Sequence, residues 1–213
     1  MHFLDPKLED YLSAHHDAEP ELLAQLNRET HLKILQPRML SGALQGRYLA
    51  MISKLAKPKY ILEIGTYTGY SALCLAEGLE EGGELHTLEI NDELETMCRK
   101  YFAEAGKAEQ IHLHIGDALD TLQNLKRDWD LIFIDADKPR YLDYYKLLIP
   151  RLKSGAFILA DNVLWSGKVI EELQPNDEST LALLEFNTFV QEDDRVENLL
   201  LPLRDGLMCI RVK

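Results

Sequence analysis

The sequence predicts an α/β protein with a mostly parallel, seven-stranded sheet and helices on both faces of that sheet. From residue 59 onward, short apolar runs alternate with helical patterns, and connections of this size are typical of right-handed parallel sheets. Several of the runs contain four or five consecutive apolar residues, as strands buried on both faces do. Near the C-terminus, Asp205-Gly206 separates two apolar runs and indicates a hairpin, so the last strand is predicted to be antiparallel.

Three helices are predicted ahead of the sheet. Asp5-Pro6 is typical of an N-cap followed by proline at the first helical position, so the first helix begins there. The second helix begins at Asp17 or at Glu19-Pro20 and ends near residue 32. The third covers residues 42–56, where apolar side chains recur at helical spacing.

The remaining strands and helices alternate along the chain. Strands are predicted at 60–64, 85–89, 111–115, 131–135, 156–160, 197–201 and 207–212. Helices are predicted at about 69–80, 91–105, 117–126, 138–153 and 179–192, with a polar loop after residue 162. We therefore expect a single domain over 1–213, in which the helices of 1–56 cap the active site and 57–213 form the core.

Composition argues against several classes of protein. The 213 residues carry a formal net charge of −13 with no block of Lys or Arg, which disfavours binding to nucleic acid and to anionic membranes. No apolar run reaches the roughly 20 residues that span a bilayer, and the first residues lack the pattern of a signal peptide. The three cysteines have neither disulfide nor zinc spacing, so we predict free thiols and a cytoplasmic protein.

Polar side chains stand at the ends of two neighbouring predicted strands. Asp135 ends one apolar run, and Asp161 and Asn162 follow the next. Because the carboxyl ends of parallel strands meet at one edge of a sheet, we expect these three oxygen ligands to converge, with Lys138 nearby. Such a group suits a hard divalent cation and proton transfer; magnesium fits, and manganese or calcium fit too.

A glycine-rich turn follows the first predicted strand. Gly65 and Gly69 allow the backbone to turn tightly and approach a ligand, while the helix that follows presents free N–H groups. Glu89 ends the next strand, where an acid accepts hydrogen bonds from both hydroxyls of a ribose, and Asp117 ends the third. The turn and the acids predict a nucleotide-like ligand, although the glycine spacing differs from the G-x-G-x-x-G dinucleotide fingerprint.

The histidines do not predict a metal centre. His112 and His114 alternate on one predicted strand, but no third ligand is near them in the sequence. We therefore expect no metal site at these two residues.

Five stretches of the sequence together resemble a known family. They are residues 39–42 (Met-Leu-Ser-Gly), 63–71, 116–119 (Gly-Asp-Ala-Leu), 135–138 (Asp-Ala-Asp-Lys) and 161–165 (Asp-Asn-Val-Leu-Trp). The second resembles the first motif of class I S-adenosylmethionine-dependent methyltransferases. In order and spacing, residues 36–213 resemble the cation-dependent catechol and caffeoyl-coenzyme-A O-methyltransferases, whose Rossmann-like sheet has seven strands with the last one antiparallel.

This resemblance implies a role for individual residues. The positions implied to contact S-adenosylmethionine are Ser41, Glu63, Gly65, Thr66, Tyr67, Ser71, Glu89, Asp117, Ala118 and Asp135. The positions implied to bind the metal are Asp135, Asp161 and Asn162, and those implied to line the substrate are Met39, Lys138, Trp165 and Ser166. Lys138 falls on the position of the proposed catalytic base, with Asp135 beside it. Ser166 stands where the plant enzymes usually carry asparagine, which argues against a preference for caffeoyl-coenzyme A.

The sequence therefore predicts an S-adenosylmethionine-dependent, divalent-metal-dependent O-methyltransferase that acts on a catechol-like phenolic molecule. The resemblance also implies a homodimer. Two alternatives remain open at this point: a noncatalytic S-adenosylmethionine-binding regulatory protein, and an NAD-dependent dehydrogenase on a similar sheet, against which the glycine spacing argues.

Overall fold

The computed structural model describes residues 5–213 and confirms the predicted α/β class. Its strands are β1 Tyr60–Ile64, β2 Glu84–Glu89, β3 Ile111–Ile115, β4 Leu131–Ile134, β5 Phe157–Asp161, β6 Val196–Leu201 and β7 Leu207–Val212. Its helices are α1 Pro6–Ala14, α2 Glu21–Lys33, α3 Gly42–Ala56, α4 Tyr70–Ala76, α5 Glu95–Glu104, α6 Ala118–Asn124, α7 Tyr141–Leu148 and α8 Glu178–Gln191. The seven strands form a sheet in the order β3-β2-β1-β4-β5-β7-β6. None of the helices within 5–213 has the length and apolar character needed to cross a membrane.

The described residues form two compact units, 5–126 and 127–213. The first contains α1 to α6 and β1 to β3, and the second contains β4 to β7 with α7 and α8. The assignment of 1–213 to one domain whose N-terminal helices cap the active site stays a prediction.

In the first unit the three strands are parallel. Ile64 of β1 lies opposite Leu88 of β2, and Glu89 of β2 lies opposite Ile115 of β3. The carboxyl ends of these strands therefore share one edge, so the turns that follow them are brought together there. Helix α3 packs against α4, and α2 contacts both α4 and α5.

In the second unit the C-terminal strand is antiparallel, as predicted, and lies inside the sheet. β4 and β5 are parallel, and β7 runs antiparallel between β5 and β6. Asp161 at the end of β5 lies opposite Leu207 at the start of β7. The turn that precedes β7 is therefore placed beside the carboxyl end of β5.

Helix α7 is anchored by aromatic contacts. Tyr141 and Tyr145 both pack edge-to-face on Phe186 of α8, with ring centroids 5.6 and 6.0 Å apart. Edge-to-face pairs bring the positive edge of one ring to the negative face of another, which stabilises them beyond simple burial. The contacts therefore hold the start of α7, three residues after Lys138, in a defined position.

Several boundaries near the predicted site differ from the sequence prediction. β4 ends at Ile134, one residue earlier than predicted. β5 ends one residue later, so Asp161 belongs to the strand itself. The helix predicted at 138–153 is divided into α7 and two flanking 3-10 turns, Lys138–Arg140 and Ile149–Arg151, because each turn has a proline near its start. The polar loop predicted after residue 162 contains a short 3-10 stretch, Trp165–Ile170, which is interrupted at its second and third residues.

A side chain is poorly tolerated at Gly69 of the glycine-rich turn. Its φ is +89°, and a Cβ there would lie 2.6 Å from the ring of Phe102. We expect Gly69→Ala to lower the free energy of unfolding by about 2–4 kcal/mol, since strain and overpacking add. Gly106→Ala is the matched control: its φ of +66° is similar, nothing lies within 4 Å of the added Cβ, and about 1 kcal/mol is expected. Urea denaturation measures both, and equal losses would contradict the steric argument.

Candidate functional site

The turn between β1 and α4 is tied to the neighbouring strand by backbone hydrogen bonds. The amides of Gly65 and Thr66 both donate to the carbonyl of Leu88, at 2.9 and 3.1 Å. Tyr67 adopts a left-handed conformation with φ of 50°, which is uncommon for a residue with a large side chain. Its amide donates to a carboxylate oxygen of Glu89 at 2.7 Å. Residues 65–67 are thus held against the end of β2.

Glu89 is held ready to accept further hydrogen bonds. One carboxylate oxygen accepts from the amide of Tyr67, and the other accepts from the amide of Asn91 at 2.9 Å. The residue is 8% exposed, and burial raises the pKa of its carboxyl group while the backbone donors oppose that rise. An ionised carboxylate has about four acceptor positions, so both oxygens retain capacity for two neighbouring hydroxyls.

Glu63 and Thr66, two residues predicted to contact the cofactor, support the turn between β1 and α4 from the protein interior. Thr87 donates its hydroxyl to Glu63 at 2.5 Å, and the hydroxyls of Thr87 and Thr66 are also 2.5 Å apart. All three residues are buried. Their hydrogen bonds fix the turn relative to β1 and β2, and a direct contact of Glu63 or Thr66 with a cofactor stays a prediction.

The remaining predicted residues of the first unit differ in accessibility. Ser41 and Ser71 are buried, whereas Met39 is largely exposed at the end of a 3-10 turn. Asp117 is the N-cap of α6, and its carboxylate accepts from the amides of Leu119 and Asp120. Because capping occupies its side chain, Asp117 is suited to face a ligand with its backbone, together with Ala118.

Lys138 is the centre of the predicted cluster in the second unit. Its Nζ donates to Asp135 Oδ1 at 3.1 Å, to Asn162 Oδ1 at 3.1 Å and to Tyr141 Oη at 2.6 Å. The residue is only 6% exposed. The structure therefore brings together Lys138 and two of the three predicted metal ligands, as the sequence predicted.

Asp161, the third predicted ligand, lies directly beside this cluster. It is 1% exposed, and its Oδ1 accepts from the amide of Asn162 at 2.8 Å. Tyr141 donates its hydroxyl to the carbonyl oxygen of Asp161 at 2.9 Å, which links the end of β5 to Lys138. Asp161 is thus connected to the Lys138 cluster through two hydrogen-bonded residues, Asn162 and Tyr141.

Tyr141 is a site residue that the sequence analysis missed. It is buried, and burial, followed by the charges of Asp135 and Asp161, raises the pKa of its hydroxyl well above the ordinary value. It therefore stays protonated and acts as a hydrogen-bond donor at neutral pH. Its position three residues after Lys138 was the available signal, because residues at that spacing on a helical segment lie on one face.

The loop after β5 combines backbone strain with predicted substrate residues. Asn162, Trp165 and Ser166 have φ values of 59°, 48° and 56°. Asparagine tolerates this region, but tryptophan and serine rarely adopt it, and such strain is concentrated at functional sites. The ring centroid of Trp165 lies 5.9 Å from Lys138 Nζ, within the range of a cation–π contact.

Asp205 holds this loop in place and was also missed. Its carboxylate accepts from the amide of Ser166 at 2.5 Å, and its carbonyl accepts from the amide of Leu164 at 2.9 Å. Burial raises the pKa of the Asp205 carboxyl group. In the sequence, Asp205 indicated only a hairpin; the signal for its second role was the antiparallel β7, which returns the chain to the end of β5.

The donor set of Asp135, Asp161 and Asn162 fits a hard divalent cation. It consists of two carboxylates and an amide oxygen, the ligand types that magnesium prefers. Oxygens of Asp135 and Asn162 already converge on one positive charge, the ammonium group of Lys138. Asp137, by contrast, accepts a hydrogen bond from Tyr144 Oη at 2.7 Å and is exposed, as expected for a structural residue.

The sequence analysis identified no third ligand for His112 and His114. Among residues 5–213, the group of three or more His, Cys, Asp or Glu side chains close enough to hold a metal is Glu84, His86 and His112. The two partners of His112 come from the neighbouring strand β2, and the absence of a metal at His112 and His114 stays a prediction. That the predicted residues of 5–126 and those of 127–213 serve one reaction stays a prediction.

Comparisons with known proteins point to one family. Residues 12–213 match the family model described as O-methyltransferase. The chain is 36% identical over 206 residues to caffeoyl-CoA O-methyltransferase 2 of Eucalyptus globulus, covering 91% of this chain and 83% of that protein. It is 35% identical to caffeoyl-CoA O-methyltransferase 1 of Arabidopsis thaliana, covering 91% and 79%.

Solved structures agree with this result. A SAH-bound methyltransferase from Podospora anserina superimposes with a TM-score of 0.89 at 32% identity, covering 98% of this chain and 94% of that one. An O-methyltransferase from Streptomyces achromogenes, involved in tomaymycin synthesis and solved with SAM, also has a TM-score of 0.89, at 29% identity and coverage of 97% and 96%.

Proposed function

Given that this chain belongs to the O-methyltransferase family and is an S-adenosylmethionine-dependent O-methyltransferase, we propose that it methylates one hydroxyl of a small aromatic vicinal diol bound to a divalent cation. One observation carries the proposal. At the ends of β4 and β5, oxygens of Asp135 and Asn162 converge on a single cationic nitrogen, directly beside the buried Asp161. The two alternatives drawn from the sequence, a noncatalytic binding protein and an NAD-dependent dehydrogenase, are not retained.

The metal ligands follow from the donor set. Asp135, Asp161 and Asn162 would hold the cation, and three ligands leave positions in an octahedral shell for the two oxygens of a diol. Phenolic hydroxyls titrate near 10 and are largely protonated at neutral pH. A bound cation would lower the pKa of the hydroxyl that coordinates it and would fix the orientation of that hydroxyl.

Lys138 is proposed as the group that accepts or polarises the proton of the reacting hydroxyl. Its Nζ lies among the proposed ligands, so a hydroxyl bound there falls within reach of the amino group. Tyr141 holds that nitrogen at 2.6 Å and is in turn fixed by the backbone of Asp161. The arrangement restricts the long lysine side chain to one position, and such placement contributes to catalysis because less freedom is lost at the transition state.

The methyl donor is assigned to the glycine-rich turn and Glu89. Both carboxylate oxygens of Glu89 retain acceptor capacity, which suits the two ribose hydroxyls. The backbone of Asp117 and Ala118 is assigned to the adenine, because capping already occupies the side chain of Asp117. Ser41, Gly65 and Ser71 complete the proposed cofactor contacts.

The acceptor is proposed to be a simple catechol-like molecule rather than a coenzyme A ester. Trp165 offers an aromatic surface close to Lys138. The roles of Met39 and Tyr67 toward the acceptor stay predictions from the sequence. Ser166 is exposed and has a short side chain at the position where the plant enzymes usually carry asparagine. It therefore offers the acceptor no side-chain amide. Formation of a homodimer, which the family resemblance implies, stays a prediction.

The metal dependence is tested by removing the cation. We expect turnover of a catechol with S-adenosylmethionine to fall at least ~100-fold in excess chelator, since the loss of a Lewis acid is worth several kcal/mol and each tenfold corresponds to about 1.4 kcal/mol. Product is quantified by chromatography, and excess Mg²⁺ should restore the rate. Calorimetry with S-adenosylmethionine in the same chelator is the control and should show unchanged affinity. Turnover that persists undiminished in chelator would remove the metal from the proposal.

A further inference from the structure

Four polar side chains lie on one face of the first unit's sheet, at a distance from the proposed active site. β2 contributes Glu84 and His86, and β3 contributes His112 and His114. Residues two apart on a strand point to the same face, and the parallel register places His86 opposite His112. Glu84 is five residues before Glu89, which corresponds to roughly 16 Å along β2. We refer to these four residues as the histidine cluster.

Distances within the histidine cluster are short. His86 Nε2 is 3.1 Å from Glu84 Oε2, and His86 Nδ1 is 3.0 Å from His114 Nε2. The ring centroids of His86 and His112 are 4.7 Å apart. One ligand atom from each of Glu84, His86 and His112 lies within 4.8 Å of the other two.

The hydrogen bonds of the histidine cluster define a network around His86. A carboxylate only accepts hydrogen bonds, so the neutral form of His86 donates from Nε2 to Glu84 and accepts from His114 at Nδ1. Metal binding requires the neutral imidazole, in which a ring nitrogen offers its lone pair to the ion.

We propose that Glu84, His86 and His112 form a second metal site, which binds zinc or a similar transition-metal ion. Imidazole nitrogens with one carboxylate are typical zinc ligands, whereas magnesium prefers oxygen ligands alone. Two ligands each about 2.0–2.1 Å from a tetrahedral zinc are about 3.3 Å apart, close to the 3.1 Å observed between His86 and Glu84. His112 is half-buried on the edge strand β3, and its ligand atom lies within 4.8 Å of those of Glu84 and His86, so closing the site requires the His112 side chain to approach them.

His114 completes the site as an outer partner. Zinc would bind Nε2 of the neutral His86 tautomer that carries its proton on Nδ1; this N–H would then donate to His114 Nε2, with the proton of neutral His114 on its own Nδ1. Such a hydrogen bond orients the ligating imidazole and raises its basicity. This site uses no residue of the proposed active site, so its existence does not depend on the proposed function.

The test is calorimetric titration of the metal-stripped full-length protein with Zn²⁺ in the presence of excess Mg²⁺, which occupies the oxygen site. We expect one saturable zinc equivalent, and His112→Gln is expected to weaken its affinity at least ~10-fold. His31→Gln is the matched control, because His31 is exposed on α2. The affinity of this variant for Zn²⁺ should match that of the parent protein. Should His112→Gln fail to fold, Glu84→Gln replaces it, since the Glu84 side chain is 34% exposed.

A spectroscopic measurement gives a second readout. Co²⁺ in a nitrogen and oxygen site of low symmetry absorbs visible light, and we expect that absorption in the parent protein and its loss in His112→Gln or Glu84→Gln. The proposal is overturned if Zn²⁺ shows no saturable binding in excess Mg²⁺. It is equally overturned if the folded ligand variants bind Zn²⁺ as tightly as His31→Gln does.

Discussion

Asp161→Ala is expected to abolish methyl transfer while leaving the affinity for S-adenosylmethionine within a few-fold. Asp161 is buried at the end of β5, next to Asn162 and linked through Tyr141 to Lys138. Alanine removes one of two carboxylates from the proposed metal site, so the cation and the diol that it orients are both lost. We expect the rate to fall at least ~1000-fold, equivalent to about 4 kcal/mol of transition-state stabilisation.

The measurement is a steady-state assay with a catechol, together with calorimetry for S-adenosylmethionine. Asp161→Asn retains the shape and one oxygen, and therefore separates loss of charge from a cavity at this buried position. Asp137→Asn is the matched control: Asp137 is an exposed aspartate in the segment that follows the neighbouring strand β4, and the amide oxygen of asparagine still accepts from Tyr144. If Asp161→Ala loses cofactor affinity in parallel with activity, the residue has been assigned to the wrong ligand.

Glu89→Ala is expected to have the opposite effect and to weaken cofactor binding first. The variant removes the proposed acceptor of two ribose hydroxyls and frees the amides of Tyr67 and Asn91, which loosens the glycine-rich turn. Hydrogen bonds to a charged group contribute about 1.5–3 kcal/mol each, so a loss of affinity of about 100-fold or more follows.

Calorimetry with S-adenosylmethionine measures this loss, and Mg²⁺ binding in the same variant should be unchanged. Glu89→Gln keeps one acceptor oxygen, so its affinity for S-adenosylmethionine is expected to lie between those of the parent protein and Glu89→Ala. Glu93→Ala, an exposed glutamate four residues further on, is the control for a nonspecific effect of charge. Cofactor affinity that is unchanged in Glu89→Ala would show that the donor binds elsewhere.

Much of the fold was predictable because its signals are local. Asp5 caps α1 and accepts from the amide of Lys7, as the Asp5-Pro6 pattern indicated. Helix α3 has the predicted bounds, Gly42–Ala56, and the predicted apolar runs are strands with boundaries shifted by a residue or so. Helix caps and apolar periodicity depend on neighbouring residues alone. The proline-flanked breaks around α7 were overlooked, although proline is visible in the sequence.

Parts of the candidate site were predictable for the same reason. Asp135 and Lys138 are three residues apart, and Asp161 and Asn162 are adjacent, so two short segments carry the whole proposed metal cluster. To bring these two segments together, the fold needs only β4 and β5 to run parallel and side by side. The rule that strand ends in a parallel sheet share an edge was sufficient for that step.

The order of helices and strands, the parallel pairing and the residue types at the strand ends were predictable from the sequence. The position of β7 between β5 and β6, which places Asp205 against the loop at Ser166, was not. Likewise, only the register of β2 and β3 brings His112 to His86 and Glu84. The physical reason is that strand order and register result from pairings between residues distant in the chain, and a shift of one residue turns every side chain to the opposite face.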